Sequence, residues 1–360
     1  LNRLDSRTGS VRHFRHDPRD AASLSNNTVV CIHEDRKGNL WLSTSNGLNL
    51  LNRKSGQFKR YIPDPDPGTM IDGIMNYIHE DKNGHLWVGT NWGLARFDPG
   101  SQQFQYYIYR PDALEVRSEN QVFGPFVQDA SGNFWIPYKE RGISRLNPRT
   151  GQFTRYRHDP GNPNTISSDY VVGVAQDRQG NLLVASSAGL DQLILQAGAE
   201  PPFKVNRKLV SEPVHSIQID QKGTIWMGTL QGLLKYEPST NTNRKYDKLD
   251  GLPGNAFNAG ACRSPRTGRL YFGTDNGLLV FHPDSLLDNP YIPPIAIITA
   301  LYYLNDDEKG EPTEIENISY KEEITLRHNQ NTLLIEFAAL SFNKTSKNQY
   351  AYRFEGVNAN

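Results

Sequence analysis

The sequence has few cysteines, no long apolar run and no excess charge of either sign. Its 39 basic and 39 acidic residues cancel and no local Lys/Arg run suggests a basic face, so we expect no nucleic-acid partner for these residues. No apolar stretch is long enough to cross a bilayer. The two cysteines, Cys31 and Cys262, have no accompanying cluster of metal ligands, and we interpret them as buried free thiols rather than as a disulfide or a metal site.

Turn-forming and aromatic residues are abundant instead. Glycine occurs 30 times, proline 22 times and tyrosine 17 times, while the hydrophobic fraction is 37%. This composition is typical of a turn-rich all-β protein rather than a helical one.

One motif recurs along most of the chain, and residues 84–94 show it most clearly. Asp81 to Gly84 is predicted to be a turn, Leu86 to Thr90 a short strand, and residues 91–93 a second turn before the next strand. The equivalents of Trp87 stand at residues 41, 87, 135, 183, 226 and 271, so the steps between them are 46, 48, 48, 43 and 45 residues. A period in the forties with four short strands per repeat predicts the blades of a β-propeller.

The most regular residues of the repeat have structural explanations. The tryptophans at 41, 87, 135 and 226 are interpreted as filling the space between neighbouring blades. The acidic residue of each Asp-x-x-Gly turn is expected to accept hydrogen bonds from the following backbone amides rather than to form a catalytic array. The His-Glu-Asp runs at 33–35 and 79–81 lack the second histidine of a zinc motif, so we expect no metal and no cofactor.

These patterns divide the chain into a propeller, a linker and the start of a second domain. Residues 1–283 are expected to form the propeller, residues 284–294 the linker, and residues 295–360 an incomplete Ig-like β-sandwich. Residues 1–16 match the back half of a repeat and precede six full repeats. This count predicts seven blades with a truncated first blade, and six blades closed by the N-terminal strand are the alternative. We interpret the sequence as an internal part of a longer protein.

The face that carries the turns between second and third strands, and the connections between blades, is the expected location of a binding site. Trp92 stands where other repeats have Asn, Ala or Gln, and it either contacts a ligand or packs beneath a neighbouring loop. Tyr138 and Lys139 lie in a turn that is one residue longer than its equivalents, and Arg141 follows them. His215 stands on an inner strand where other repeats have Val, Asn or Gly. These five residues are the candidate ligand contacts.

The repeat resembles the two-component regulator propeller repeat. The resemblance is carried by the pattern Val-x-x-Ile-x-Glu-Asp-x-x-Gly-x-Leu-Trp-x-Gly-Thr-x-x-Gly-Leu, which the blades share. Residues 349–356, preceded by residues 336–342, look like the triple-tyrosine domain that follows such propellers. Leu183 in place of Trp, and Pro137-Tyr138 in place of Gly-Thr, depart from the pattern.

The resemblance implies the ligand-sensing part of a two-component signal-transduction sensor. In this family the propeller and sandwich lie on the periplasmic or extracellular side of the inner membrane, and the polypeptide continues through a membrane helix into an output module. It implies that this part of the protein is not an enzyme, that the membrane-spanning parent is a histidine kinase acting as a homodimer, and that the propeller binds a small ligand, an oligosaccharide. A diguanylate cyclase or a helix-turn-helix module is the other possible output. Ligand binding is then expected to shift the propeller against the sandwich.

Two other classes of function remain open from the residues themselves. A propeller enzyme acting on glycans, or a related lyase, needs an acid and a base that are not repeated, and His215 is the best candidate for such a group. We assign no catalytic residue, because a lone histidine on an inner strand is usually only hydrogen-bonded. A protein-binding platform is the third class, and it would bind no small molecule.

Overall fold

The structure is a computed structural model that describes residues 1–5, 7–62, 73–109, 120–196, 198–286, 295–303, 313–315 and 332–339, together with residues 323 and 325. It divides into two compact units, Leu1–Ser285 and Leu286–Asn360. The regular structure in these ranges is almost entirely β, with short 3₁₀ turns at Lys248–Asp250 and Pro283–Ser285. No helix among the described residues is long and apolar enough to cross a membrane.

The first unit begins with a hairpin, and six antiparallel sheets of consecutive strands follow it. The hairpin consists of β1 (Asn2–Leu4) and β2 (Val11–His13). Sheet 1 contains β3 (Val29–Glu34), β4 (Leu40–Thr44), β5 (Gly47–Leu51) and β6 (Phe58–Tyr61); sheet 2 contains β7 (Met75–Glu80), β8 (Leu86–Thr90), β9 (Gly93–Asp98) and β10 (Gln103–Tyr107); sheet 3 contains β11 (Val127–Gln128), β12 (Phe134–Tyr138), β13 (Gly142–Asn147) and β14 (Gln152–Tyr156).

The remaining three sheets repeat this order. Sheet 4 contains β15 (Val171–Gln176), β16 (Leu182–Ser186), β17 (Gly189–Leu195) and β18 (Phe203–Val210); sheet 5 contains β19 (Ser216–Ile219), β20 (Ile225–Thr229), β21 (Gly232–Glu237) and β22 (Thr242–Tyr246); sheet 6 contains β23 (Phe257–Arg263), β24 (Leu270–Thr274) and β25 (Gly277–Phe281). The β-propeller predicted from the period is confirmed. For the second repeat the sequence predicts strands at Asn76 to Glu80, Leu86 to Thr90, Leu94 to Asp98 and Phe104 to Tyr107, and these begin and end within one residue of β7 to β10.

Aromatic side chains pack between neighbouring sheets, as the repeat predicts. The ring of Trp87 in sheet 2 lies 4.2 Å from that of Phe134 in sheet 3, measured between centroids. Trp226 in sheet 5 lies 5.0 Å from Phe281 in sheet 6. The tryptophans at these positions are almost completely buried. The interpretation of these residues as filler between blades is therefore confirmed, and they are not exposed to a ligand.

The Asp-x-x-Gly turns act through hydrogen bonds, as expected. Asp81 accepts backbone hydrogen bonds from Asn83 and His85 at 2.8 and 2.9 Å, and Trp87 Nε1 donates to its Oδ2 at 2.9 Å. Burial alone would raise the pKa of Asp81, but the hydrogen bonds from Trp87 and the turn amides hold it below its usual range. The carboxylate thus ties the turn to the aromatic core of the blade.

The fourth repeat keeps this arrangement although it lacks the tryptophan. Leu183 has no ring N–H to donate, and Gln192 on the neighbouring strand donates through Nε2 to Asp177 Oδ2 at 2.8 Å instead. Asp177 is half-buried, and without this donor its carboxylate would lose a charge-assisted hydrogen bond. The departure from the repeat pattern at Leu183 therefore has a local compensation.

The N-terminal hairpin takes the place of the outer half of a blade. Phe14 packs with Leu24, Leu42 and Phe58 against sheet 1, and the rings of Phe14 and Phe58 meet edge to face with centroids 5.7 Å apart. In the described part of the chain neither strand of the hairpin pairs with sheet 6, which is the pairing that six blades closed by the N-terminal strand would require. Residues 1–16 thus contribute two strands beside six sheets.

The two cysteines are free thiols, but they differ in exposure. Cys31 on β3 is half-buried, whereas Cys262 on β23 is exposed. The expectation of two buried thiols is therefore wrong for Cys262. Cys262 pairs with Tyr271, which is only half-buried, so this face of sheet 6 is partly open among the described residues.

The second unit contains one antiparallel sheet. Its strands are β26 (Ile295–Tyr303), β27 (Thr313–Ile315) and β28 (Thr332–Ala339), in the order β27-β26-β28. For this unit the sequence pattern predicts strands at 295–304, 323–327, 332–337 and 349–354. The two that begin at Ile295 and Thr332 are present. Most of the strand at 323–327, the linker residues 287–294 and the tyrosine-rich residues 349–356 lie outside the described residues.

Candidate functional site

One face of the first unit collects the loops that vary most between repeats. In each complete sheet the start of the inner strand pairs with the end of the second strand, as Met75 pairs with Thr90 and Val171 pairs with Ser186. The turn from second to third strand therefore lies beside the entry to the inner strand, on the same side as the connections between sheets. We call this side the loop face.

Three side chains from sheets 3 and 4 meet on the loop face. Lys139, in the turn between β12 and β13, places Nζ 5.7 Å from the ring centroid of Phe123 and 5.6 Å from that of Tyr170. Phe123 is 50% exposed and Tyr170 is 38% exposed, and Lys139 is exposed as well. We call these residues the Lys139 cluster. An ammonium between two aromatic faces is held by cation–π attraction and still presents donors to solvent.

A bulge at the start of sheet 3 places Phe123 on the surface. Val122 forms an isolated bridge with Tyr138, but the inner strand β11 begins only at Val127. Between them, the Pro125 carbonyl accepts a hydrogen bond of 2.8 Å from the amide of Val174 in sheet 4. The segment therefore pairs across to the next sheet instead of within its own, and Phe123 projects away from the core.

The longer turn at residues 139–141 brings the ammonium toward both rings. Glu140 adopts a positive φ of 65°, a conformation that non-glycine residues rarely adopt. The equivalent turns of the other complete sheets have two residues between paired strand ends, as at 45–46 and 91–92. The extra residue is the feature that distinguishes this turn, and the sequence pattern identified it correctly.

Two of the sequence-predicted contacts lie below this surface. Trp92 is 6% exposed and Tyr138 is 1% exposed, and Tyr138 belongs to a buried cluster with Trp87 and Phe134. Burial raises the pKa of Tyr138, and the guanidinium of Arg155 lies 4.7 Å from its ring centroid. Of the two interpretations of Trp92, packing beneath a loop fits the structure. Both residues support the loop face from inside and do not form its surface.

The other two predicted contacts, Arg141 and His215, lie on or near the loop face. Arg141 is half-buried in the same turn as Lys139. His215 is half-buried and its amide donates to the Gly228 carbonyl at 2.8 Å. It follows Val214, which donates to the preceding sheet as Val122 does. His215 thus takes in sheet 5 the position that Phe123 takes in sheet 3.

Sequence reasoning missed Phe123 and Tyr170. A signal for Phe123 was present, because Phe-Gly-Pro-Phe at 123–126 interrupts the alternation expected of an inner strand. Tyr170 precedes an inner strand at a position that is otherwise occupied by small, polar or aliphatic residues, and only its place in the fold marks it as exposed.

The chemistry of the Lys139 cluster favours binding over catalysis. Exposed rings can stack on the C–H face of a sugar or on another flat apolar group, and the lysine can donate to a hydroxyl or an anion beside them. Among the described residues no group of His, Cys, Asp or Glu could hold a metal ion.

Comparison with known proteins gives matches to the repeat and to larger proteins. The family model described as "Two component regulator propeller" matches residues 23–46, 69–92 and 208–231. A histidine kinase, P4, of Formosa agariphila is 33% identical over 147 residues, which are 40% of this chain and 11% of that protein.

Solved structures share the propeller fold. The extracellular domain assigned to a hybrid two-component system of B. thetaiotaomicron matches with a TM-score of 0.64 and 26% identity, over 88% of this chain and 42% of that one. A streptogramin B lyase matches with a TM-score of 0.54 and 19% identity, over 77% of this chain and 84% of the lyase, a likeness that shows the fold alone.

The chain therefore spans only a small part of the curated relative and less than half of the sensor domain that it resembles. The matches to the repeat model fall on the first, second and fifth of the six sheets described above. Three of its repeats match the two-component regulator propeller repeat, and its propeller resembles the extracellular domain assigned to a hybrid two-component system.

Proposed function

We propose that this chain is the extracytoplasmic ligand-sensing region of a two-component sensor and that the Lys139 cluster contacts the ligand. The observation that carries this proposal is the pair of exposed rings, Phe123 and Tyr170, that flank one ammonium on a loop face. Exposed aromatic side chains have a hydration cost that a bound molecule removes. Similarity to sensor proteins supports signalling as the purpose of that binding.

An oligosaccharide fits the chemistry of the cluster. Its rings have apolar C–H faces that stack on Phe123 and Tyr170, and its hydroxyl or carboxylate oxygens accept hydrogen bonds from Lys139. The two rings and the ammonium come from three separate segments of sheets 3 and 4. A ligand that contacts all three residues would therefore link these segments and restrict their motion relative to one another.

Signal transfer would run from this site to an output module in a larger membrane-anchored protein. In this proposal the parent is a dimeric histidine kinase, its sensor region lies on the periplasmic or extracellular side of the inner membrane, and the second unit relays the change. The proposal rests on the resemblance to the extracellular sensor domain and on the match to a histidine kinase.

The direct test measures oligosaccharide binding to the purified chain and to single variants. A panel of oligosaccharides is screened by thermal shift, and hits are titrated by calorimetry against Phe123→Ala, Tyr170→Ala and Lys139→Ala. Each variant is expected to weaken binding about tenfold, because each removes a stacking surface or a charged donor. Their melting temperatures should barely change, since the side chains are exposed.

Ile194→Ala is the matched control. Ile194 is an exposed apolar residue at the far end of β17, away from the loop face, and its truncation should leave affinity unchanged. Equal affinities for all four variants would refute the cluster as the site. Turnover of a bound compound, lost in His215→Ala, would replace the sensor proposal with an enzyme. If the chain binds other proteins but none of the oligosaccharides, the protein-binding platform is the interpretation that remains.

A further inference from the structure

A cleft lies between sheets 2 and 3 at the strand ends opposite the loop face. The turns from first to second strand and from third to fourth strand lie at these ends. The cleft is lined by the turn after β7, by the turn after β11, by the turn after β13, and by Arg96 on β9. Its volume of about 380 Å³ is that of a small-molecule site. We call it the basic cleft, for the side chains described next.

Three basic side chains line the cleft. Lys82 and Arg96 belong to sheet 2, and Arg149 belongs to sheet 3. The acidic residue of the lining, Asp81, is buried, and its carboxylate already accepts hydrogen bonds from turn amides and from Trp87. Among the described residues, none of the three basic groups forms an ion pair with a carboxylate. The cleft therefore has an excess of positive charge, which an anion would compensate.

Strand pairing directs Arg96 into the cleft. Arg96 pairs with Trp87 on the neighbouring strand, and directly paired residues project from the same face of a sheet. The ring of Trp87 packs against sheet 3, so Arg96 also faces sheet 3. Asp98, two residues further along β9, accepts hydrogen bonds from Gly100 and Ser101. These hydrogen bonds lower the pKa of Asp98 more than Arg96 does, so Arg96 is not committed to this carboxylate.

The two walls of the cleft hold further donors in place. Lys82 reaches across to sheet 3, where its Nζ donates to the Asp129 carbonyl oxygen at 3.1 Å. An ammonium has three N–H groups, so two of them are left for another acceptor. His85 Nδ1 lies 3.1 Å from Asp81 Oδ2, which fixes the imidazole on the wall of sheet 2. The donors are therefore arranged before any ligand binds.

The positive charge belongs to this junction and not to the repeat. The equivalents of Arg96 and Arg149 are defined by the strand pairs that flank them, and they are uncharged at two other junctions. They are Leu50 and Gly100 between sheets 1 and 2, and Gln192 and Ser239 between sheets 4 and 5. Packing of one blade on the next therefore does not require basic residues at these positions.

We propose that the basic cleft binds a small molecule through a phosphate or sulfate group. A tetrahedral oxyanion has several oxygens that accept hydrogen bonds in different directions. The guanidinium groups of Arg96 and Arg149 each donate to two oxygens at once, and Lys82 adds a third positive charge. The cleft lies opposite the loop face, so it takes a second ligand, separate from the one proposed for the Lys139 cluster.

Three hexoses that differ in one substituent test the proposal. Glucose 6-phosphate, glucose 6-sulfate and glucose are titrated into the purified chain by calorimetry at low ionic strength. The esters are expected to bind and glucose is not, and a preference between the esters distinguishes the two groups. Arg96→Gln and Arg149→Gln should each weaken ester binding at least about tenfold, because each removes a bidentate, charge-assisted contact. Arg149 is exposed, so the melting temperature of its variant should stay unchanged.

Arg178→Gln is the matched control. Arg178 is exposed and stands after Asp177 in sheet 4 as Lys82 stands after Asp81 in sheet 2, outside the basic cleft. Its loss should change ester affinity by less than about twofold. Failure of both esters to bind, or equal ester affinities of the wild type and the two cleft variants, would overturn the proposal.

A second variant separates this proposal from the one for the loop face. Loss of ester binding in Lys139→Ala, with binding retained in Arg96→Gln and Arg149→Gln, would overturn the basic cleft and place the anion at the Lys139 cluster. Ester binding lost in the two arginine variants supports the basic cleft whether or not an oligosaccharide binds at the loop face.

Discussion

The repeated aspartates of the Asp-x-x-Gly turns resemble a catalytic array, but their hydrogen bonds give them a structural role. Five aspartates recur at intervals of 43 to 48 residues. All five accept hydrogen bonds from turn amides, and four of them also accept one from a tryptophan N–H. In the repeat with Leu183, Gln192 donates to the aspartate in place of the tryptophan. The carboxylate therefore requires a hydrogen-bond donor, which need not be a tryptophan. Repetition of an acidic residue is therefore a structural signal here.

Among the histidines that the structure describes, His79 has the pKa that lies furthest below its usual range. Its ring lies 5.5 Å from that of Phe126 and 6.1 Å from that of Phe134. Burial lowers its pKa to about 4, with a further contribution from His33 and opposition from Asp81. The native state therefore keeps His79 neutral at a pH where the unfolded chain protonates it.

We expect His79 to make folding sensitive to mild acid. Between pH 6.5 and about 4 the unfolded chain binds a proton that the folded protein does not, so the free energy of unfolding falls as pH falls through this window. The contribution approaches about 3 kcal/mol at pH 4. Urea denaturation of the wild type and of His79→Gln at pH 7 and pH 4.5 measures it.

His13→Gln is the control for this prediction, because His13 is exposed on the hairpin. The His79 variant should lose part of the acid sensitivity, and the His13 variant should keep it. The pKa of His33 is also lowered by burial, so some sensitivity should remain in the His79 variant. Parallel pH profiles for wild type and His79→Gln would contradict the assignment.

Among the elements, the bulge at residues 123–126 has the largest effect on the candidate site. Gly124 lies against the backbone of the next sheet, and a Cβ there would overlap the carbonyl oxygen of Val172. This contact holds the bulge in place and directs Phe123 outward. Glycine is required by the close approach of two backbones and not by a positive φ.

Gly124→Ala should therefore destabilise the propeller and move Phe123. The added methyl group must displace backbone on a neighbouring strand, at a cost of about 1–3 kcal/mol. Gly161→Ala is the matched control, because its Cβ would meet only the flexible Asp159 carboxylate, at an ordinary 3.4 Å. Chemical denaturation should separate the two variants. Equal denaturation midpoints for the two variants would show that the bulge accommodates the added methyl group without loss of stability.

The elements also show where sequence reasoning succeeds. A repeat with clear turn residues predicts strand positions closely, because each turn and each buried tryptophan recurs with the same neighbours. The bulge escaped prediction, since its hydrogen bond goes to Val174 in another sheet. Lys139 was identified from an extra turn residue, whereas the burial of Trp92 and the exposure of Tyr170 depend on packing between sheets, which no local pattern encodes.

At the scale of the whole molecule, the exposed apolar residues Leu278 and Ile32 indicate which sheets of the propeller should unfold locally first. A closed ring gives every sheet two neighbours, so no sheet is a natural starting point for unfolding. Ile32 in sheet 1 and Leu278 in sheet 6 are exposed, whereas their equivalents Ile78 and Leu233 are buried, and sheets 3 and 4 are covered on both sides. The six sheets therefore resemble a linear array of repeats. In such an array the free energy of unfolding is approximately the sum of a term for each repeat and a term for each contact between neighbouring repeats.

Such an array should fray from its ends. Amide hydrogen exchange is expected to be fastest in sheet 6, intermediate in sheet 1, where Phe14 provides partial cover, and slowest in sheets 3 and 4. Mass spectrometry of peptides from each sheet would measure this order, and uniform protection of all six sheets would contradict it. The proposed ligand site lies on sheets 3 and 4, which are expected to open slowest, so a molecule bound there would stay in place while sheet 6 opens transiently.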